Sequence, residues 1–303
     1  MVRKLAEASD KLESFFFFYG TEGGTGSRLG SSLCESLKDY YKNLNISSFI
    51  TFTNEKTVIE SYNSSLSTMY TLSNSNIIYT YDNLALQNIC LNHLSEPYSN
   101  FDSMNGLLAH SIANLSSVFR CSNTKSSDFQ ESLIFDDYLK IISPGFAPFT
   151  NEGNPNNDWK SICRAILEPS NTMVRSDFVN SRFGKANFVF RGDIDKNESE
   201  RILREVSQEA GFVDKKVEIF NFREAGKLLG NVEVGSKSVG VLSNSSVVVD
   251  VLKKVMDEAE SMFKKRLNVH WYIGHGIHEE EILEATDLIC WLIERFKDLN
   301  YFS

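Results

Sequence analysis

A run of glycines between an apolar segment and an amphipathic segment constrains this chain more than any other feature. Residues 22–30 read Glu-Gly-Gly-Thr-Gly-Ser-Arg-Leu-Gly. The five aromatic residues 15–19 precede them and predict a strand that is buried on both faces. Leu29, Leu33 and Leu37 follow at intervals of four and predict a helix. The glycines therefore occupy a strand-to-helix turn.

Such a turn is suited to binding a phosphate. We expect Gly23, Gly24 and Gly26 to adopt positive φ angles and to let the backbone approach a ligand closely. The free N–H groups at the start of the next helix favour an anion. The turn lacks the Gly-Lys-Ser/Thr ending of a P-loop and the Gly-x-Gly-x-x-Gly order of a dinucleotide-binding turn. An ordinary glycine-rich turn without a ligand is the alternative.

The following segments predict a parallel sheet. Residues 46–52 form a short apolar run, so strand, helix and strand follow one another at the spacing of a βαβ unit. Residues 76–81 predict another strand, and residues 84–94 predict a helix that ends before Pro97. Ligands of parallel sheets bind at the carboxyl ends of the strands, where the glycine turn lies.

The clearest helix begins near residue 101. Its apolar residues recur at spacings of three and four, and Asn100 is a suitable N-cap. The stripe comprises Phe101, Met104, Leu107, Leu108, Ile112, Leu115, Val118 and Phe119. A stripe of this length predicts a central helix that packs on both halves of the protein.

The rest of the chain predicts a second, smaller sheet and a helical end. Residues 187–190, 216–220 and 238–242 have the composition of strands, and residues 151–158 that of a loop. Two amphipathic helices are predicted after residue 248.

Composition narrows the class of protein. The 303 residues carry a net charge of −9 and show no basic stripe, so we expect no nucleic-acid partner. We find no signal peptide and no long apolar span, so we expect a cytoplasmic protein without a membrane partner. The five cysteines are scattered and are expected to be reduced thiols.

Polar and aromatic residues near the strand ends could bind a base. Asn83 follows the strand at residues 76–81, and Asn105 lies one turn after Phe101 on the long helix. An Asn amide offers a donor and an acceptor, which suits the edge of guanine, and an aromatic ring suits stacking on a base. A strand-end turn at Asn83 and a core position for Phe101 are the alternatives.

Taken with its flanks, the glycine turn resembles that of the tubulin family. The tubulin loop Gly-Gly-Gly-Thr-Gly-Ser/Ala-Gly corresponds here to residues 22–28. The likeness covers nearly the whole chain, and several stretches occur in the tubulin order. They are Val2–Leu12, Val58–Asn63, Asp82–Asn83, Phe101–Asn105, Pro144–Thr150, Val189–Gly192 and His270–Tyr272. Within the family, Leu108–His110 and Gly276–Glu281 are most similar to delta-tubulin.

The resemblance implies an α/β fold in three parts. We expect a truncated nucleotide-binding domain of the tubulin GTPase type with the long central helix at 1–120. A smaller α/β sheet domain should follow at 121–243, and a C-terminal helical hairpin at 244–303. Because the tubulin loops that precede the glycine turn have no counterpart here, we expect an N-terminally truncated, weakened nucleotide site.

The resemblance also implies a ligand, GTP or GDP, with Mg²⁺ accompanying GTP. Asn83 and Asn105 would hold the guanine, Phe101 would stack on it, and Glu60 would meet the ribose. The phosphates would lie on a cradle of five residues: Gly23, Gly24, Thr25, Gly26 and Ser27. Two residues depart from the family, because Glu22 and Arg28 replace glycines. Glu22 adds an unfavourable negative charge beside the phosphates, and Arg28 could offset it.

A second motif concerns hydrolysis. Residues 126–131, Ser-Ser-Asp-Phe-Gln-Glu, resemble the tubulin loop whose acidic residues reach the nucleotide of the neighbouring subunit. The resemblance makes Glu131 the catalytic candidate and Asp128 its companion, since hydrolysis needs an oriented water. A solvated acidic helix start is the alternative reading.

Three histidines, His270, His275 and His278, lie close together in sequence beside the acidic run 279–281. Their spacing matches no standard metal motif, so we expect no metal site. We expect residues 270–272 to pack at a domain edge and the acidic run to cap the last helix.

These observations lead to three hypotheses. The first is a delta-like tubulin that serves as a structural subunit at centrioles or basal bodies, with head-to-tail and lateral contacts to tubulin-type subunits. The second is an active GTPase whose front is missing from the gene model. The third is a nucleotide-free interaction protein.

Overall fold

The computed structural model describes residues 2–53, 59–94, 100–121, 125–149, 158–176, 181–210, 214–220 and 237–299. Of the predicted loop at 151–158, residues 151–157 lie outside them. The strands are β1 (Ser14–Gly20), β2 (Asn45–Phe52), β3 (Ile77–Asp82), β4 (Ile141–Ala147), β5 (Phe183–Arg191), β6 (Asp214–Phe220) and β7 (Ser238–Ser245). The helices are α1 (Val2–Glu7), α2 (Ser31–Tyr40), α3 (Glu60–Asn74), α4 (Asn83–His93), α5 (Phe101–Cys121), α6 (Ser126–Glu131), α7 (Trp159–Ala165), α8 (Lys196–Ala210), α9 (Val249–Lys264), α10 (Val269–Gly274) and α11 (Glu279–Lys297). None of the described helices is both long and apolar enough to cross a membrane.

The strands form a seven-stranded sheet in the order β1-β2-β3-β4-β7-β5-β6. Strands β1 to β4 run parallel, and β7 is antiparallel to both of its neighbours. Ile141 and Ile142 of β4 pair with β3, whereas residues 143–147 pair with β7. The predicted α/β class is confirmed, and the second group of strands is joined to the first through β4.

Helices cover both faces of the parallel strands because alternate side chains point to opposite faces. Ile77, Tyr79 and Tyr81 share one core with the apolar side of α5. Ile50 and Ile78 share the other core with α9 and α11. The long helix is therefore packed as predicted, with Met104, Leu107, Leu115 and Val118 buried, and Asn100 accepts the Ser103 N–H at 2.9 Å as its N-cap.

The expectation that β1 is buried on both faces was wrong. Phe16 and Phe18 are 37% and 55% exposed, because β1 is the first strand of the sheet and nothing in the described residues pairs with its outer side. The leucine face of α2 also differs from the expectation. Leu29 and Leu33 are exposed, whereas Ser31 and Cys34 are buried against the sheet.

Helices α7 and α8 were not predicted. They pack against β5 through an apolar core that includes Ile162, Phe188 and Leu203. Ion pairs from Lys160 to Glu205 and from Arg164 to Glu209 join the two helices at the surface.

The last three helices close the face of the sheet that carries α3. The expected cap of α11 is confirmed as a capping box, in which the Glu281 carboxylate accepts the His278 N–H at 3.0 Å. The other Glu281 oxygen accepts the Tyr70 hydroxyl of α3 at 2.6 Å.

Candidate functional site

The register of the parallel strands brings several predicted site residues to one end of the sheet. Gly20 pairs with Thr51, and Phe52 pairs with Asp82. Strands β1, β2 and β3 therefore end at the same level, and neighbouring strands lie about 4.8 Å apart. The glycine turn after β1 and Asn83 after β3 lie about 10 Å from each other across this carboxyl end.

Close packing, and not positive φ, explains the central glycine of the turn. The positive-φ glycines of the described chain are Gly192 and Gly276, so the expected positive φ at Gly23, Gly24 and Gly26 was wrong. A Cβ at Gly26 would lie 2.2 Å from the Gly20 carbonyl oxygen, which only glycine avoids. The turn is thus folded tightly back onto the end of β1.

The start of the helix after the turn is open. Residues 25–30 form a π-helical turn that continues into α2, and Gly24 at its N-cap supplies no side-chain cap. No atom lies within 4 Å of a Cβ built at Gly23 or Gly24. Gly23, Gly24 and Thr25 are exposed, whereas Ser27 is buried and its carbonyl accepts the Ser31 hydroxyl at 2.5 Å.

The turn after β3 is built differently. The buried Asp82 carboxylate caps α4 by accepting the Leu84 N–H at 3.0 Å. Its other oxygen forms an ion pair with the Arg175 Nε at 2.5 Å. Asn83 is the first residue of α4 and is half-buried. Asn83 thus lies where the strand-end turn passes directly into α4.

The direction of α5 brings Phe101 and Asn105 to the same end of the sheet. Near the helix end, Phe119 lies 6.4 Å from Phe16, which is in the first half of β1. Farther back, the Ser111 hydroxyl lies 3.1 Å from that of Tyr81, one residue before the end of β3. Phe101 precedes Ser111 by ten residues, or about 15 Å of helix, so it lies beyond the strand ends.

Phe101 is 61% exposed, so its alternative reading as a core residue is wrong. Asn105 is also exposed, about 9 Å along the helix from Ser111. The start of α5 thus presents an aromatic ring and an amide at the carboxyl end of the sheet, where Asn83 and the glycine turn lie.

A cavity of about 680 Å³ adjoins this end on the side of α9. Glu60 and Glu22 line it together with Asp82, Arg175 and Lys254. Burial raises the pKa of the Glu22 carboxyl, and nearby Glu60 raises it further, against the lowering effects of a hydrogen bond from Thr53 and of Lys254. The Thr53 N–H donates that bond to Glu22 at 2.6 Å.

A second cavity, of about 710 Å³, lies between the glycine turn, α3 and α10. Gly24, Ser27 and Arg28 line it together with Trp271 and Tyr272. The Arg28 guanidinium lies over the Tyr70 ring at 5.7 Å, so Arg28 and Glu22 border different cavities.

The predicted site residues are therefore distributed around the carboxyl end. Glu60 lines the first cavity, and Gly24 and Ser27 line the second. Asn83, Phe101 and Asn105 line neither of these two cavities and lie at the surface beside them.

The hydrolytic candidates lie at the opposite end of the molecule. Helix α6 is held by a hydrogen bond from the Gln130 amide to the Ser47 hydroxyl at 2.8 Å, and Ser47 is near the start of β2. Five strand residues, or about 16 Å, separate Ser47 from the end of β2. Asp128 and Glu131 are exposed on α6. They therefore cannot touch a ligand that lies at the carboxyl end of the same molecule.

The described residues contain no group of three His, Cys, Asp or Glu side chains that could hold a metal ion. In the region of the three histidines, the Tyr272 hydroxyl of α10 donates to the Asn63 side chain at 2.8 Å. Tyr272 thus packs against the first turn of α3, whereas His270 and Trp271 are exposed.

Sequence reasoning gave no role to Asp82 and missed Arg175. Asp82 directly precedes the predicted site residue Asn83, and an Asp before a helix is a recognisable N-cap. Nothing local marks Arg175, because its partner is 93 residues away in the sequence.

Comparisons with known proteins agree with this architecture. Residues 1–91 match the family described as Tubulin/FtsZ family, GTPase domain. The chain is 28% identical to the tubulin alpha-3 chain of Saccharomyces cerevisiae over 94% of its own length and 68% of that protein. It is 27% identical to the tubulin beta-1 chain of Colletotrichum gloeosporioides (98% and 68%) and 29% identical to the tubulin alpha chain of Dictyostelium discoideum (99% and 70%). Alpha and beta tubulins thus match it about equally, and the chain is similar to them over nearly its whole length.

Proposed function

We propose that this protein is a tubulin-like cytoskeletal subunit that binds a guanine nucleotide at the carboxyl end of its sheet. One observation carries the proposal. The glycine turn, Asn83 and the start of α5 lie at the same end of the sheet, in a chain that is similar to tubulins over 94–99% of its length. A cytoplasmic, cytoskeletal location follows from the same similarity.

The arrangement fits a nucleotide in two respects. The phosphates would meet the exposed Gly23, Gly24 and Thr25 and the uncapped helix start, which favours an anion. Gly26 and Ser27 would support the turn from below, since one is packed on Gly20 and the other is buried. Mg²⁺ would be held mainly by the phosphates, since the described residues offer no metal cluster of their own.

The base and ribose would lie toward α4 and α5. Asn83 and Asn105 would bond the guanine edge, and the exposed ring of Phe101 would stack on the base. Glu60, the first residue of α3, would meet the ribose.

We propose further that the affinity is weak. The Glu22 carboxyl sits in the glycine turn, directly before Gly23. Arg28 does not offset its charge, because Arg28 lines the other cavity. A negative charge at this position opposes the binding of a phosphate group.

The test is a titration of the purified protein with fluorescent GDP and GTP analogues, with ATP as the competitor. Asn83→Ala should weaken binding about tenfold by removing hydrogen bonds to the base. Gln87→Ala, an exposed residue on the same helix, is the matched control and should leave the affinity unchanged. Equal displacement by ATP and GTP, or no binding at all, would contradict the nucleotide proposal and favour a nucleotide-free interaction protein.

We propose that any hydrolysis occurs only between subunits. Because Asp128 and Glu131 lie at the end of the sheet opposite the glycine turn, a head-to-tail contact would bring them to the nucleotide of the next subunit. A contact of this kind does not close on itself and can build a filament. Glu131→Ala should then leave the nucleotide affinity of the monomer unchanged and slow turnover only in a mixture that assembles.

A delta-like role at centrioles or basal bodies is the most specific part of the proposal. It rests on the stretches Leu108–His110 and Gly276–Glu281. Imaging of the tagged protein in ciliated cells tests it, and an even distribution along cytoplasmic microtubules would contradict it.

A further inference from the structure

The second cavity, of about 710 Å³, has a lining that the proposed nucleotide does not explain. Its walls come from internal segments of the chain, within residues 24–28, 59–70 and 268–277. Its volume lies in the range of about 300–1,000 Å³ that is typical of small-molecule sites. The glycine turn, α3 and the segment around α10 thus border a space that is large enough for a small organic molecule.

Aromatic and aliphatic side chains form a large part of these walls. Tyr70 of α3 lines the cavity together with Trp271 and Tyr272 of α10, and Leu66 and Ile277 add aliphatic surface. The Trp271 side chain is 60% exposed, so its ring can be covered by a ligand. Flat aromatic molecules pack favourably on such rings. The lining therefore favours a ligand with one or more aromatic rings.

A buried hydroxyl without a partner lies in the wall that α3 provides. Ser67 is four residues after Asn63 and three before Tyr70, so all three are on the face of α3 that lines the cavity. Ser67 is 1% exposed, and its hydroxyl forms no hydrogen bond within the described part of the chain. Burying a hydroxyl in this state is unfavourable. A polar atom of a ligand would satisfy it.

Arg28 supplies a positive charge to the same cavity. Its side chain is exposed, and its guanidinium lies over the Tyr70 ring at 5.7 Å. The Glu281 carboxylate is close to this tyrosine, but its two oxygens already accept the Tyr70 hydroxyl and the His278 N–H. A guanidinium has several N–H donors and binds carboxylate groups in a planar, two-point geometry. Arg28 can therefore bind a negatively charged group of a ligand.

We propose that this cavity is a binding site for a small aromatic anion. The rings would lie against Trp271 and Tyr272, the negative group would bind Arg28, and a second polar atom would bond the Ser67 hydroxyl. Since Arg28 lies over Tyr70 and Ser67 lies one helical turn before it, the two polar contacts are about 5–10 Å apart. A molecule of two fused rings with a polar group at each end spans this distance. Binding of such an anion does not require a nucleotide.

The first test uses three related probes on the whole 303-residue protein. The probe 6-hydroxy-2-naphthoate has both polar groups, its carboxamide analogue lacks the charge, and 2-naphthoate lacks the hydroxyl. Saturation-transfer NMR titrations measure the three dissociation constants. We expect a dissociation constant of about 1 mM or lower for the full probe, and values at least about threefold higher for the other two. Equal affinity of the full probe and its carboxamide, or no binding of the full probe at about 10 mM, would overturn the proposal.

Two variants at exposed positions test the location of the probe. Arg28→Gln should weaken 6-hydroxy-2-naphthoate at least about threefold and should leave its carboxamide unchanged. Trp271→Ala should weaken both probes, because it removes a ring that either would cover. Lys42→Gln, an exposed cation beyond the far end of α2, is the matched control and should change neither. Equal weakening by Lys42→Gln and Arg28→Gln, or no effect of Arg28→Gln and Trp271→Ala, would overturn the site.

Ser67→Ala separates a ligand contact from a structural role. Because the hydroxyl has no partner in the described chain, its removal should not lower the melting temperature. It should abolish the advantage of 6-hydroxy-2-naphthoate over 2-naphthoate. Thr71→Val, which removes a buried hydroxyl of α3 that bonds Tyr19 at 2.6 Å, is the control and should lower the melting temperature without changing that advantage. A full advantage retained in Ser67→Ala would overturn the proposed contact.

Discussion

Two strand-to-helix turns lie at the carboxyl end of the sheet, and they differ in how the free N–H groups of the following helix are satisfied. The aspartate turn after β3 satisfies its helix start internally, because Asp82 accepts the Leu84 N–H and is itself paired with Arg175. The glycine turn after β1 leaves its helix start uncapped by any side chain and folds back on Gly20. A helix start that is already capped by a carboxylate cannot bind a second anion there. For the proposed nucleotide, this difference favours the glycine turn as the place of the phosphates and the aspartate turn as the place of the uncharged base.

The largest effect should come from the tight contact of the glycine turn. In Gly26→Ala the new Cβ would lie 2.2 Å from the Gly20 carbonyl oxygen, so the turn must move. We expect the free energy of unfolding to fall by about 2–4 kcal/mol in urea denaturation. Gly24→Ala is the control, because nothing lies within 4 Å of its Cβ, and it should change stability by less than about 0.5 kcal/mol. Similar losses in both variants would refute the packing explanation.

A smaller loss is expected at the aspartate turn. Asp82→Asn keeps the shape and an oxygen for the cap of α4 but removes the negative charge that faces Arg175. Because the Arg175 side chain is 38% exposed, water can solvate it in part, and we expect a loss of about 1–2 kcal/mol. The exposed Asp102 in the first turn of α5 provides the control, and Asp102→Asn should be nearly neutral. An unchanged melting curve of Asp82→Asn would show that the ion pair does not hold this turn.

The same two turns show how far sequence reasoning reaches. The order of strands and helices around the glycine turn was predictable from apolar runs. The cap at Asn100 and the capping by the acidic run 279–281 followed from local residue types, whereas the part of His278 in the capping box was not predicted. The leucine face of α2 was not predictable in this way. Small residues such as Ser31 let α2 approach the sheet so closely that a Cβ at Gly30 would lie 3.1 Å from the Tyr19 ring, which turns the leucines outward.

Contacts between parts of the chain that are distant in sequence could not be predicted from the sequence, for a different reason. The ion pair of Asp82 and Arg175 depends on the tertiary fold alone, and no local periodicity reports it. Helix α8 was also missed, although Ile202, Leu203 and Val206 are buried at helical spacing, because its remaining residues are mostly polar. The edge position of β1 likewise depends on strand order and not on the strand's own sequence.

The Glu22 carboxyl should make the stability of the glycine turn depend on pH. Burial raises the pKa of Glu22 above its ordinary value of 4.5, so the folded state binds the proton more tightly than the unfolded state. The contribution of this group to stability is therefore largest at low pH and is lost as the pH rises from 4.5 through the folded pKa. Glu22→Gln should be more stable than the parent protein at pH 7.

Urea denaturation across this pH range measures the effect. The advantage of Glu22→Gln should shrink as the pH falls toward 4.5 and below, because Glu22 in the parent protein then becomes neutral as well. Glu35→Gln, on the exposed side of α2, should show no such change. If the site binds a nucleotide, Glu22→Gln should also tighten the binding at pH 7. A constant difference between Glu22→Gln and the parent at all pH values would mean that the carboxyl does not titrate differently in the folded state.

The smallest effect on stability should come from Phe101, at the proposed place of the base. A variant at this residue can therefore test binding without changing the folding stability. Phe101 is 61% exposed, so Phe101→Ala should change the free energy of unfolding by less than about 0.5 kcal/mol. Met104, three residues later on α5, is buried, and Met104→Ala should cost about 2–3 kcal/mol. If Phe101 stacks on a base, Phe101→Ala should nevertheless weaken guanine-nucleotide binding severalfold, as measured with the fluorescent analogue. A large loss of stability would show that Phe101 is a core residue. Unchanged stability together with unchanged binding would show that Phe101 does not contact the base and that the base does not lie at α5.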